Sequence, residues 1–387
     1  SAVKMGTTVA TNALLERQGT PTVLVINQGL GDSLIIGDQT RPDLFARHIV
    51  RPAPAAQHIV EVTARMDAQG TVLADVDQSA VESALRSAYA DGARSVAVAL
   101  MHGYRYPEHE RLIGAIARTV GFRQVSLSHE VSPTIKLIPR ADTTVVDAFL
   151  SPVLRRYVDS VADALPQTPL WFMQSSGVLT HASHFQGRNS ILSGPAGGVV
   201  GAVRTSQAAG FDRIIGFDMG GTSTDVFHFA GEYERTFETI VAGARLRTPM
   251  MAVHTVAAGG GSMCHFDGLR FVVGPDSAGA NPGPACYRRG GPLCVTDANV
   301  MIGKIQASLF PNVFGPNADE ALNENVVREK FTALAAEIEK ATGDKRTPVE
   351  VAEGGGPGRH EGGGQGPYRV GVRHDRAAMV TRQLQRG

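Results

Sequence analysis

Cysteine is scarce in this chain, and neither sign of charge is in surplus. Its three thiols, Cys264, Cys286 and Cys294, are too few and too clustered to staple a disulfide-dependent fold. Their spacing also lacks the paired C-x₂₋₄-C of a structural zinc site. Lys+Arg and Asp+Glu both number 37, so no bulk field draws nucleic acid or an anionic membrane. No apolar run reaches the ~18 residues of a membrane span, and the first residues lack the basic-then-apolar order of a secretory signal. No Lys-Ser/Thr follows a Gly-rich turn as in a Walker loop, and no G-x-G-x-x-G is present. A soluble, cytoplasmic protein is expected. At 387 residues there is chain for two cored domains, and 44 glycines promise many tight turns.

What the chain has instead is a rhythm of strands and helices. Thr22 to Ile26, Ala93 to Met101, Val125 to Leu127 and Leu170 to Met173 read as buried strands. Helical spacing links Val81, Leu85 and Ala88, and again Leu112, Ile113, Ile116 and Val120 after Pro107. A long helix is expected after Arg140-Ala141-Asp142-Thr143-Thr144, through Val145, Phe149, Val153 and Tyr157, kinked at Pro152. Thr11 is placed to cap a short helix near the start. Arg41 and Asp43 are either a surface ion pair or part of a substrate rim. The pattern is α/β. The expected domains are 1–130, 131–353 and a tail, 354–387.

The stretch of most interest is Ile214 to Val226, in which apolar residues run into Asp218-Met219-Gly220-Gly221-Thr222-Ser223-Thr224-Asp225. We read a strand, a sharp turn and a second strand, with the turn as a phosphate loop. Gly220 and Gly221 let a phosphate approach backbone N–H groups, and Thr222 and Thr224 offer hydroxyls. Asp218 and Asp225 would repel phosphate directly, so they imply a bridging Mg²⁺ with water ligands. Upstream, Ser193-Gly194-Pro195-Ala196-Gly197-Gly198 opens a helix, where either anion contact or close helix–strand packing explains the glycines. Downstream, Gly259-Gly260-Gly261 is a third glycine turn, the span from Phe271 to Tyr287 reads as a rigid small-residue loop, and Thr296 to Asn299 as a strand end. A further strand is expected at Thr236 to Val241, and Cys286 is expected to be a buried structural thiol.

Near the end, Asn325 to Lys340 is a well-patterned helix, and Thr347-Pro348-Val349-Glu350 announces another with a capping box. From Gly354 onward Gly and Arg dominate, and no apolar period remains. Such a composition cannot offset its ordering entropy, so a disordered tail is expected. Because a helix has just been announced, a change of reading frame or an artificial end after Glu353 is preferred to a Gly/Arg RNA-binding tail.

Taken in order, several stretches resemble the hydantoinase A/5-oxoprolinase family. They are Met5-Gly6-Thr7-Thr8-Val9-Ala10-Thr11-Asn12, Ser193 to Gly198, Phe217 to Asp225, Ala257 to Ser262 and Val273 to Tyr287. Val98 to Tyr104 and Phe310 to Pro316 are most similar to the 5-oxoprolinase branch. The resemblance implies an ATPase of the actin/Hsp70/sugar-kinase type, with ribonuclease-H-like lobes around a nucleotide cleft. It implies ATP-driven opening of 5-oxo-L-proline to L-glutamate, with ATP and Mg²⁺ as cofactors. Hydantoinases and the ATP-using subunit of a ketone carboxylase are the family alternatives, and a non-catalytic nucleotide-binding domain is the alternative outside enzymes. Gly220, Gly221, Thr222 and Thr224 would serve phosphate, joined by Ser193, Gly194, Gly197, Gly198, Gly259, Gly260 and Gly261. Asp218 and Asp225 would hold Mg²⁺ or orient water. The implied partners are a cyclic amide substrate, a B-type region or subunit and other copies in an oligomer. Family members open with an earlier Asp-Gly-Gly-Thr-type loop and continue into a later adenosine-contacting segment. Neither is found here, so an incomplete set of lobes, inactive by itself, is expected.

Overall fold

Every residue of Thr22–Asn27 is buried, because helices cover this strand on both faces. The computed structural model describes residues 2–37, 45, 47, 48 and 53–354. Arg41, Asp43 and the Gly/Arg-rich tail beyond Gly354 lie outside the described residues. Packing separates the chain into one unit of Ser1–Ile214 with Phe229–Ala252 and a second of Ile215–His228 with Val253–Gly387.

In the first unit the elements run β1 (Val3–Met5), α1 (Val9–Leu15), β2 (Thr22–Asn27), β3 (His58–Val62), α2 (Gln78–Ala90), β4 (Ser95–Ala99), α3 (Glu108–Val120), β5 (Gln124–Leu127) and α4 (Leu137–Ala164). β2 to β5 form a four-stranded parallel sheet in the order β3-β2-β4-β5. Alternation along its strands divides two cores. Val23, Val25, Val96 and Val98 meet Leu85 of α2 and Ile113 of α3. Leu24, Ile26, Ala97 and Ala99 meet Leu14 of α1 and Val145 and Phe149 of α4. Asp77 caps α2 by accepting the Ala80 N–H.

The long helix α4 starts earlier than expected and takes in Arg140 to Thr144. Arg140 is fully buried there, and its donors are spent on Ser128 Oγ and the carbonyls of Thr134, Ile135 and Leu100. Pro152 lies inside α4, which continues on both sides of it. A second, three-stranded sheet joins β1 to β6 (Leu170–Met173) and β7 (Leu179–His181), with β1 parallel to β6. α5 (Ser193–Ala208) follows. The cap position of α1 is Thr8, not Thr11, whose hydroxyl instead accepts the Leu192 N–H at 2.9 Å.

The strand expected at Thr236 to Val241 is broken into Arg235–Thr236 and Thr239–Val241, which pair with Met250–Met251 and Ala244–Leu246 respectively. β8 (Arg213–Met219), β9 (Thr224–Ala230) and β10 (His254–Val256), mostly within the second unit, form a sheet in that order. The hairpin β11 (Ser262–Phe266) and β12 (Phe271–Ser277) comes next, then α6 (Val295–Met301), α7 (Glu324–Thr342) and α8 (Pro348–Ala352). Val295, Val327, Phe331, Leu334, Ile338 and Val351 build their shared core. Two expectations change here. The run from Phe271 to Ser277 is strand, paired to β11, and the small-residue loop begins only after it. Thr296 to Asn299 is helix rather than a strand end, because Asp297 closes a capping box and its carboxylate accepts the N–H groups of Cys294, Ala285 and Cys286. The capping box announced at Thr347 and Glu350 is present.

Candidate functional site

The turn Gly220–Ser223 joins β8 to β9, closed by a hydrogen bond of 2.9 Å from the Gly220 N–H to the Ser223 carbonyl. A Cβ on Gly216 would lie 1.9 Å from the Phe227 ring, so Phe227 covers the face on which Gly216 sits. Side chains alternate along a strand. Asp218 therefore shares that face with Gly216, and Asp225 shares it with Phe227. The two carboxylates rise from one face of the hairpin, either side of the turn. Asp218 is exposed and, among the described residues, its carboxylate makes no hydrogen bond. Asp225 is half-buried, and its Oδ1 accepts the hydroxyl of Thr255 at 2.7 Å. Thr255 stands directly opposite it on β10.

Behind the turn lies Gly259-Gly260-Gly261. The Gly260 N–H donates to the Gly220 carbonyl at 2.9 Å and the Gly261 N–H to the Gly221 carbonyl at 2.7 Å. The Gly259 N–H donates to Ser262 Oγ at 3.0 Å. Thr296 holds this brace in turn, since its N–H and its hydroxyl both donate to the Gly260 carbonyl. All three glycine N–H groups are thus spent on structure. In a trans peptide the carbonyl and the next N–H point opposite ways. With the carbonyls of Gly220 and Gly221 tied backward, the N–H groups of Gly221 and Thr222 face forward. Among the described residues they donate to nothing, and both residues are exposed. Unpaired backbone donors of this kind want water or an anion.

The structure sorts the expected site residues. It brings together Asp218, Gly220, Gly221, Thr222 and Asp225 at the front of the turn. Thr224 is buried, and its hydroxyl donates to the Ala258 carbonyl. Ser193 is fully buried in the first unit, donating to the Met173 carbonyl at 2.6 Å and accepting the Thr7 N–H at 3.2 Å. A Cβ on Gly194 would lie 3.2 Å from the Thr8 methyl, and one on Gly197 would lie 3.8 Å from Met173, whereas Gly198 faces open space. Sequence reasoning missed Thr255 and Thr296. Only strand pairing and backbone hydrogen bonds from distant positions reveal them.

Among the described residues no three or more His, Cys, Asp or Glu side chains form a metal-holding group. Two carboxylates of hard oxygen are nevertheless a donor set that fits Mg²⁺, which retains several of its waters. The cysteines offer no alternative chemistry. All three are free and buried; burial pushes the thiols of Cys264 and Cys286 up strongly and that of Cys294 up to about 12.

Residues 1–121 match the Hydantoinase/oxoprolinase N-terminal region, and residues 140–355 match Hydantoinase/oxoprolinase. The chain belongs to the hydantoinase/oxoprolinase family. Within that family it is 43% identical to the 5-oxoprolinase of Saccharomyces cerevisiae over 91% of its own length and 30% of that protein's. It is similar to the crystal structure of ATP-dependent caprolactamase from Pseudomonas jessenii, with a TM-score of 0.69 and 31% identity, over 90% of this chain and 51% of that one. Nucleotide-free acetone carboxylase has a TM-score of 0.71 over 91% of this chain and 52% of that one; at 23% identity it shows the fold alone. The expected α/β architecture is therefore the hydantoinase-type ATPase fold. The chain spans 30% of the length of the yeast relative and about half of each solved one.

Proposed function

We propose that the turn Gly220–Ser223 is a phosphate-binding turn of an ATP-dependent cyclic amide hydrolase of the 5-oxoprolinase type. The observation that carries this reading is the pair of forward N–H groups on Gly221 and Thr222, held there by the glycine brace and flanked by Asp218 and Asp225. Identity to a 5-oxoprolinase supports the substrate class.

A lactam carbonyl is a poor electrophile. Transfer of the γ-phosphoryl group from ATP to its oxygen releases ADP and opens the carbon to water; the C–N bond then breaks as the nitrogen takes a proton, and a second water frees the phosphate and leaves the carboxylate. The protein's part is positioning and charge. The N–H groups of Gly221 and Thr222, with the Thr222 hydroxyl, bind phosphate oxygens at fixed places. Asp218 and Asp225 would hold Mg²⁺, which when bound supplies the positive charge between carboxylates and phosphate. Thr224, Gly259, Gly260, Gly261 and Thr296 keep the turn in shape from behind, and Ser193 does the same for the start of α5. The free thiols fit a cytoplasmic setting, and a B-type region, fused or separate, would complete the enzyme.

The test is ADP release by the parent polypeptide, offered 5-oxoproline, hydantoin, or acetone with bicarbonate. Stimulation by 5-oxoproline is expected, with a loss of about 100-fold or more in Asp218→Ala and a smaller loss in Thr222→Ala. Wild-type turnover in both variants would refute the site, and stimulation by hydantoin or acetone alone would move the substrate. A nucleotide-binding domain without catalysis would show ADP binding and no turnover with any of the three. The 387-residue chain by itself is expected to release no ADP.

A further inference from the structure

We infer that Thr255 is a positioning residue that presets the carboxylate of Asp225 for a hydrated divalent cation on a nucleotide phosphate. The inference rests on the reading of the Gly220–Ser223 turn given above. Asp218 and Asp225 share a face of the hairpin but differ in how they are held. Among the described residues the carboxylate of Asp218 has no partner, so it is free to turn. Asp225 lies opposite Thr255 in the antiparallel pairing of β9 and β10, and the Thr255 hydroxyl donates to Asp225 Oδ1 at 2.7 Å. Directly opposed residues on one face are near enough for such a bond without strain. A threonine also has few χ1 choices in a strand, so the donor is itself well placed.

The consequence is directional. With Oδ1 engaged by a hydroxyl, the second carboxylate oxygen is the one left for the cation shell. An acceptor held in one orientation loses less rotational freedom on binding a cation shell than one that must first be ordered. The pair thus consists of one preset carboxylate and one adaptable carboxylate. That division suits Mg²⁺, whose octahedral shell is demanding and mostly water.

Manganese is the probe, because Mn²⁺ replaces Mg²⁺ in such shells and is read directly by electron paramagnetic resonance. Mn²⁺ is titrated into the protein with ADP present, for the wild type, Thr255→Val, Thr255→Ala, Thr255→Ser and Asp225→Asn. Loss of one hydrogen bond to a charged group should weaken Mn²⁺ by about fivefold to tenfold in the valine and alanine variants. Serine should rescue it to near the wild-type value, and the double variant Asp225→Asn with Thr255→Val should be no weaker than Asp225→Asn alone. Thermal melting identifies which of the two non-donating variants is folded and so usable. If these variants bind Mn²⁺ as the wild type does while Asp225→Asn is weakened, the role of Thr255 is wrong and the site stands. If Asp225→Asn binds as the wild type does, or the wild type binds no Mn²⁺ with ADP, the reading of the turn fails and this inference fails with it.

Discussion

Gly259 has room for a hydrogen atom and nothing larger. A Cβ there would lie 2.5 Å from the carbonyl oxygen of Gly221, which is backbone and cannot swing aside like a side chain. Gly259→Ala should therefore shift the Gly220–Ser223 turn itself. We expect a stability loss of about 1–3 kcal/mol, the usual scale of overpacking, together with a larger proportional loss of nucleotide binding. Calorimetric melting and ADP titration of the same variant would check both, and unchanged ADP affinity would show that the brace does not set the turn. The cysteines give a second test at this scale. Cys264, Cys286 and Cys294 are buried and their thiols are pushed up, first of all by burial. A thiol-exchange reagent at mildly alkaline pH should react with none of them in the folded chain and with all of them in denaturant. Rapid labelling of Cys286 in the native state would count against its structural role.

At the scale of elements, the strand–turn–strand of Arg213 to Ala230 was legible because a Gly pair between apolar runs has few other ways to fold. The parallel sheet was legible too, since Thr22–Asn27 and Ser95–Ala99 are apolar on both faces. α6 was not. Its cap position is Cys294, an unusual capping residue, and Asp297 accepts from Ala285 and Cys286 as well as from Cys294. No local pattern carries a carboxylate shared between a helix start and a turn before it. The hydrogen bonds from Gly260 to Gly220 and from Thr255 to Asp225 were hidden for the same reason: they join positions far apart in the chain. Asp297→Asn tests the weight of that buried carboxylate. An amide keeps the size but replaces one acceptor oxygen with a donor that faces N–H groups, so a destabilisation of about 2–4 kcal/mol is expected in chemical denaturation. A change below about 0.5 kcal/mol, the scale of ordinary surface substitutions, would show that the carboxylate does not hold α6 in place.

For the whole molecule, the outer strand of the sheet β8-β9-β10 is the feature that matters for handling this chain. β8 lies at the edge of the order β8-β9-β10, and among the described residues it has no second neighbour. Ile215 and Phe217, alternate residues on one face of that edge, are 47% and 51% exposed. An apolar, unpaired edge invites pairing with another chain, and zero net charge at neutral pH supplies no repulsion against it. The relatives are longer, with this chain spanning 30% of the yeast 5-oxoprolinase, so the edge need not be bare in a protein of that length. In the isolated 387-residue chain we expect association that grows with concentration. Ile215→Lys with Phe217→Lys should reduce it, because lysine on an edge strand is a common means of blocking sheet extension. Sedimentation velocity across a concentration series gives the readout, and equal melting temperatures would show that the fold is kept. If the lysine variant associates as strongly as the wild type, another surface joins the copies and the β8 edge is already protected.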